Sequence, residues 1–257
     1  MTTYVLVHGG GSTGRFWDRL VPLLQDLDPG ARTLAVDLPG RGDRPADLGT
    51  ITVDDEVGSV VADVQAAAPD GPIVLVAHSS GGLVVPGVVA GLAPRVRGVV
   101  LIAALVPPEG GDGLDCMQPR HAEGLRTFAA SLGPDDPPIT LPGPPEDPEP
   151  FRTATGGTPL DDETLAFVVD PVRLVPDTVH HYFQPVRWSA VVDSSPGDVP
   201  VTYLLTLEDR PIPADLQREM VGRLPQAATV VELGTGHLAP ITHPARVAEL
   251  VVGATRA

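Results

Sequence analysis

Apolar residues recur along the chain in two rhythms. Continuous apolar runs at 4–7, 33–36, 73–77, 98–105, 199–207 and 229–233 are short and rich in valine, leucine and isoleucine. Between them, 16–27, 53–67, 82–92, 214–224 and 244–252 carry apolar residues at helical intervals. A strand that is apolar throughout has no solvent face, so it belongs in a sheet covered on both sides. Six such strands alternating with helices predict an α/β protein: a mostly parallel six-stranded sheet with helices on both faces. The rhythm lapses from 107 to 185, where "LGPDDPPITLPGPPEDPEP" is too polar and too interrupted for a core strand. Only 116–132 and 161–179 read as short helices there. The chain therefore divides into a core of 1–106 and 186–257 and an insertion of 107–185. The insertion follows the fourth strand and is expected above the carboxyl ends of the strands, where open α/β sheets bind ligands. It reads as a lid, with a plain exposed loop as the alternative.

The run 73–77 breaks off in "IVLVAHSSGGL". A sharp strand-to-helix turn strains the residue at its tip and needs small residues two positions to either side. Centred on Ser79, the flanks are Ala77 and Gly81; centred on Ser80 they are His78 and Gly82, and histidine is too bulky for the crowded side. Ser79 is the candidate nucleophile. Ser80 then starts the helix, and its backbone N–H faces a developing oxyanion. A serine that merely caps a buried helix is the bland alternative.

Three further stretches complete a constellation. "VLVHGGGSTG" follows the first strand, and its glycines allow close backbone approach. We assign the Gly10 N–H as the second oxyanion donor. A tight turn or a phosphate loop competes with that reading, but "GGGSTG" fits G-x-G-x-x-G poorly. "VELGTGHLAPITHP" places His237 in a loop after the last strand, suited to a general base. His243, just before Pro244, reads instead as the start of the final helix. "VTYLLTLEDRPIP" supplies Asp209 past a strand end to orient the histidine, with Glu208 and Glu109 as the competing acids. The chain order is Ser, Asp, His.

Composition narrows the chemistry. All 17 basic residues are arginine and lysine is absent, which excludes Schiff-base mechanisms. A net charge of −16 argues against nucleic acid and anionic membranes as partners. The single cysteine, Cys116, excludes an internal disulfide and reads as a small buried apolar residue. The N-terminus lacks a basic, apolar leader, and no run reaches the ~18 apolar residues of a membrane span. A cytoplasmic protein is expected. His180 and His181 could line a pocket, but they lack the other spaced ligands of a metal site. No metal or cofactor is expected. Trp17 reads as core, His78 as structural. Phe128, Phe151, Phe167, Tyr182 and Phe183 suggest an apolar substrate group or a core within the insertion.

With "VLVHGGG", "DLPGRG", "VAHSSGGL", "LLTLEDRPIP" and "GTGHLAPITHP" in this order, nearly the whole chain resembles the α/β-hydrolase superfamily. Within it, the short form beginning on the HG strand resembles plant methylesterases and hydroxynitrile lyases and their bacterial esterase relatives. "TLEDRPIPADLQREM" is similar to their acid loop, which favours Asp209. The resemblance implies a cap over 107–185, oxyanion donors at Gly10 and Ser80, and a small-molecule substrate. The lyases carry a lysine after the catalytic histidine and a threonine in the HG turn. Leu238 and Gly9 stand at those positions, so the resemblance implies a hydrolase. The expected activity is cleavage of a carboxylic ester, lactone or thioester through an acyl-enzyme on Ser79. A lyase, C–C cleavage, acyl-transfer or cyclising enzyme on the same scaffold is the alternative, and a non-catalytic ligand-binding protein a second.

Overall fold

The computed structural model describes residues 1–133, 135–194 and 199–254. Strands β1 (Thr3–Val7), β2 (Arg32–Ala35), β3 (Ile73–His78) and β4 (Val96–Ile102) come from the first part of the chain. A pair of two-residue strands, β5 (Thr140–Leu141) and β6 (Asp177–Thr178), lies in the insertion. Strands β7 (Val201–Thr206) and β8 (Thr229–Leu233) complete the set. The main sheet runs β2-β1-β3-β4-β7-β8 with every pairing parallel, and β5-β6 is a separate antiparallel pair.

Side chains alternate across each strand, and both faces of the inner strands β1, β3, β7 and nearly all of β4 are dry. The edge strands β2 and β8, expected from their apolar runs to have no solvent face, are partly exposed because no strand covers their outer edge. Val5, Val7, Ile73, Leu75 and Ala77 enter one core with residues of α2 (Val53–Ala67) and α3 (Val85–Leu92). Tyr4, Leu6, Val74 and Val76 enter the other core with residues of α1 (Val21–Leu27) and of the C-terminal helix Pro244–Gly253. This two-sided burial is why the inner strands read as unbroken apolar runs. Trp17 is fully buried in the second core. Among the described residues no helix is long and apolar enough to cross a membrane.

Proline sets several boundaries that helical spacing alone had smoothed over. The expected helix over 16–27 is a 3-10 turn at Gly14–Trp17 followed by α1, whose first turn holds Pro22. The one over 82–92 is a 3-10 turn from Ser79 to Val84, then α3 with Pro86 in its first turn. In the insertion, 116–132 becomes a turn at Gly113–Cys116 and α4 (Pro119–Ser131), followed by a short α5 (Phe151–Ala154). The expected helix over 161–179 is corrected. Asp161 caps α6 (Asp162–Val169) by accepting the Thr164 N–H at 2.7 Å. The helix stops before Pro171, because proline disfavours helical geometry in the residue ahead of it, and residues 177–178 pair as β6. The remaining helices are α7 (Ser189–Asp193), α8 (Ala214–Val221), α9 (Ala239–Thr242) and α10 (Pro244–Gly253).

Chain order departs from spatial order between β1 and β3: β2 lies outside β1, and the chain then returns to β3 on the other side. A crevice opens at such a switch point, beyond the carboxyl ends of the strands. Gly9 and Gly10 leave β1 there, and Ser79 leaves β3.

Candidate active site

Ser79 has φ +52°, in the left-handed region that a non-glycine residue occupies only under constraint. Its neighbours show what the constraint requires. A Cβ on Gly81 would lie 2.6 Å from the His8 carbonyl oxygen and 3.0 Å from that of Val7, so only glycine fits. On the other flank the Ala77 methyl is accommodated, fully buried. A Cβ on Gly9 would approach the Ser79 Cβ to 2.7 Å. The elbow therefore points Ser79 outward while packing tightly beneath it. Helical structure begins at Ser79 rather than Ser80. The Ser80 N–H then belongs to the first turn of the helix, where amides have no intrahelical acceptor.

Three side chains from three loops meet above the elbow. Asp209 Oδ2 and His237 Nδ1 are 2.7 Å apart. A carboxylate only accepts, so Nδ1 carries the proton and donates it. That leaves His237 Nε2 free to accept the Ser79 hydroxyl, 3.1 Å away. Asp209 is buried and held by the Thr206 hydroxyl (2.8 Å) and the Ile212 N–H (2.8 Å). Neither competing acid comes near: Glu208 is exposed, and Glu109 instead accepts from the Ser189 N–H and hydroxyl. His243 bonds Thr235 and Thr242 and caps α10, apart from the serine.

Gly10 lines the same cavity as Ser79 and His237. Among the described residues no group accepts the Gly10 N–H, so that amide is an available donor. The cavity measures about 150 Å³, and its apolar walls include Phe16, Phe151, Leu174 and Leu238. Of the five aromatics singled out in the insertion, only Phe151 lines it. Phe128 is exposed, Phe167 lies under the Arg19 and Arg173 guanidiniums, Phe183 packs on the core, and Tyr182 bonds the Ser80 side chain from behind. Burial pushes the Cys116 thiol up to about 12, which removes it as a nucleophile.

Two further histidines brace the loops. His78 stacks on Phe16, with ring centroids 4.7 Å apart, and its Nε2–H donates to the His237 carbonyl at 2.9 Å. Burial pushes its pKa well below the ordinary value, so it stays neutral. His8 donates from Nδ1 to the Gly9 carbonyl (2.9 Å) and accepts the Leu38 N–H at Nε2 (3.3 Å). Burial lowers the His8 pKa from 6.5 to about 4. A folded-state pKa below the unfolded one means that the unfolded chain gains its proton first as pH falls. The His8 contribution is complete above about pH 6.5 and lost toward pH 4, roughly 3 kcal/mol in all. Urea unfolding at pH 7, 5.5 and 4 should show that decline. A His8→Gln variant should be less stable at pH 7 but lose less over the interval; parallel curves for the two proteins would refute the assignment.

The insertion supplies two contacts to these loops that the sequence does not reveal. Its segment 155–157 lies against the acid and histidine loops: the Thr155 carbonyl accepts the His237 N–H at 2.8 Å, and Gly157 N–H donates to the Glu208 carbonyl at 3.2 Å. A Cβ on Gly156 (φ +78°) would fall 1.9 Å from the Glu208 oxygen, so glycine is required there. On the opposite side lies a fully buried charge cluster. Arg41 pairs with Glu56 Oε1 at 2.6 Å and with Asp177, and Glu56 Oε1 also meets His181 Nδ1 at 2.9 Å. Burial works to raise the Glu56 pKa, but His181 and Arg41 outweigh it and hold it at about 2. His181 thus faces this cluster, while His180 bonds the Ile51 carbonyl. A charged residue inside "DLPGRG" was the only local hint, because Arg41 and Asp177 are far apart in the chain.

A profile of the alpha/beta hydrolase family matches residues 4–250. A chloroplastic protein of Arabidopsis thaliana, assigned by name to the methylesterases, is 24% identical over 98% of this chain and 64% of its own length. The carbendazim hydrolyzing esterase of a Nocardioides strain is 33% identical over 47% of this chain and 48% of its own. The chain thus spans less than two thirds of the length of either relative. Among solved structures, an extracellular alpha/beta-hydrolase from a Paenibacillus species aligns over 100% of both chains, with TM-score 0.80 and 22% identity, a likeness of fold. With the profile running almost end to end and the sheet order and loop positions in place, the chain belongs to the alpha/beta hydrolase family.

Proposed function

We propose that the protein is a serine esterase that cleaves small carboxylic esters with a compact acyl group. The observation that carries this reading is the hydrogen-bonded line from Asp209 through His237 to Ser79, set on a strained elbow at the mouth of a small apolar cavity. Ser79 Oγ attacks the ester carbonyl while His237 Nε2 takes its proton. Asp209 holds the histidine tautomer and stabilises the imidazolium. The Gly10 and Ser80 N–H groups receive the oxyanion, at roughly 3 kcal/mol per donor. His237 returns the proton to the departing alcohol, then activates the water that releases the acid. Esterase names among the relatives agree with this chemistry. The lack of room for a side chain at Gly9, where a Cβ would come within 2.7 Å of the Ser79 Cβ, and the apolar Leu238 beside His237 favour it over a lyase.

The cavity size yields a test. An apolar cavity of about 150 Å³ holds a group the size of benzene. Methylenes beyond that stay outside and forfeit about 0.8 kcal/mol of burial each. We expect p-nitrophenyl acetate and butyrate to be hydrolysed with an initial burst, and kcat/KM to level off before the decanoate, without the about fourfold gain that each further buried methylene would give. A kcat/KM that keeps climbing with chain length through the decanoate would overturn the compact acyl site. Failure of the folded protein to turn over any activated ester would overturn the esterase reading, and ester products formed with added alcohols in preference to acid would reassign it to acyl transfer.

A further inference from the structure

The loop carrying the Gly10 donor is held from outside. A strip of the insertion runs antiparallel along it: the Thr13 hydroxyl donates to the Val172 carbonyl at 2.8 Å, Ser12 bridges Leu174, and the Val175 N–H donates to the Gly11 carbonyl at 2.8 Å. The strip ends at Asp177, whose Oδ2 accepts the Gly11 N–H at 2.7 Å. Its Oδ1 accepts the Thr178 N–H at 2.6 Å and faces Arg41. Asp177 and Arg41 are, respectively, 0% and 1% exposed at their side chains, so neither is a surface ion. Gly11 itself has φ +67°, and it directly follows Gly10. Fixing both polar groups of Gly11 fixes the peptide plane next to the donor.

We propose that Asp177 is a positioning residue for the oxyanion donor: its carboxylate, oriented by Arg41, holds Gly11 so that the Gly10 N–H faces the carbonyl attacked by Ser79. The inference rests on the esterase reading above. It makes the insertion part of the site's framework; Glu56 meets Arg41 at Nη1, which also donates to the Pro39 carbonyl, whereas Asp177 faces Nη2.

Asp177→Asn separates positioning from mere stability. An amide has one acceptor oxygen, and the Arg41 cation claims it. The NH2 group then confronts the Gly11 N–H, donor against donor. Glu56→Gln disturbs the same buried cluster without touching Gly11. We expect Asp177→Asn to lower kcat for p-nitrophenyl butyrate by about 10- to 100-fold with KM within about threefold, below the full loss of one oxyanion donor. Affinity for a trifluoromethyl ketone, which Ser79 converts to an oxyanionic hemiketal, should fall by the same factor. Protection of the Gly11 amide from hydrogen exchange should fall at least about tenfold. Glu56→Gln should lower the melting temperature comparably yet leave all three readouts within about threefold. If Asp177→Asn does not fold, Asp177→Glu keeps the charge opposite Arg41 while displacing the oxygens from Gly11, and the same losses are expected. Folded Asp177 variants with unchanged kcat and ketone affinity, or equal losses in Glu56→Gln, would overturn the proposal. A wild type inert to every ester, in which Gly11 exchange still follows Asp177, would overturn the esterase reading alone and leave the hold on the loop standing.

Discussion

Ser79→Ala should lose the covalent adduct that the wild type forms with a fluorophosphonate, and ester hydrolysis should fall by about 10⁶-fold, the scale seen when a nucleophile is removed from a serine triad. The physical ground is that, among the described residues, the Ser79 oxygen is the hydroxyl that reaches His237 Nε2, at 3.1 Å, from a strained elbow that lines the cavity. The neighbouring serine is the sharp control. Ser80 is buried, and its side chain bonds Tyr182 rather than His237. Its proposed part is played by its backbone N–H, which alanine retains. Intact mass spectrometry should therefore show a single adduct on the wild type and on Ser80→Ala, and none on Ser79→Ala. An adduct lost only with Ser80→Ala would mean that the register of the elbow, and the oxyanion assignment built on it, is wrong. No adduct on folded wild type would mean that the serine is not activated.

Asp209→Asn should lower kcat by about 10⁴-fold at neutral pH while the protein stays folded. Both Asp209 oxygens are already engaged, Oδ1 by the Ile212 N–H and Oδ2 by the Thr206 hydroxyl and His237. An amide oxygen kept toward Ile212 would turn its NH2 group to His237 Nδ1. The imidazole would then accept at Nδ1 and carry its proton at Nε2, where it cannot receive one from Ser79. Glu208→Gln and Glu109→Gln should remain within about threefold of wild type, since Glu208 points to solvent and Glu109 bonds Ser189. A large loss in either glutamate variant, with activity retained in Asp209→Asn, would transfer the role of the acid to that glutamate. The steady-state rate of p-nitrophenyl butyrate hydrolysis for all three variants decides between them.

The chain by itself determined what depends on neighbours in sequence. Runs such as Tyr4–Val7 and Ile73–Ala77 announced buried parallel strands because both faces of each strand must be dry. Ala77 and Gly81 marked Ser79 as the tip of the elbow because the crowding there is local, within two residues of the serine. The α6 boundary was also legible in principle: Pro171 ends the helix, and periodicity alone overran it. What lay beyond the sequence was every choice made across the fold. Three acids stood at plausible loop positions; the likeness of the acid loop pointed to Asp209, but its meeting with His237, 28 residues away in the chain, is made by the fold. The buried Arg41, Glu56, Asp177 and His181 left no mark on any spacing pattern, since an ion pair formed between distant segments has no period to read. Tertiary structure decided these because burying a charge demands a partner, and which partner arrives is set by how the insertion packs on the sheet.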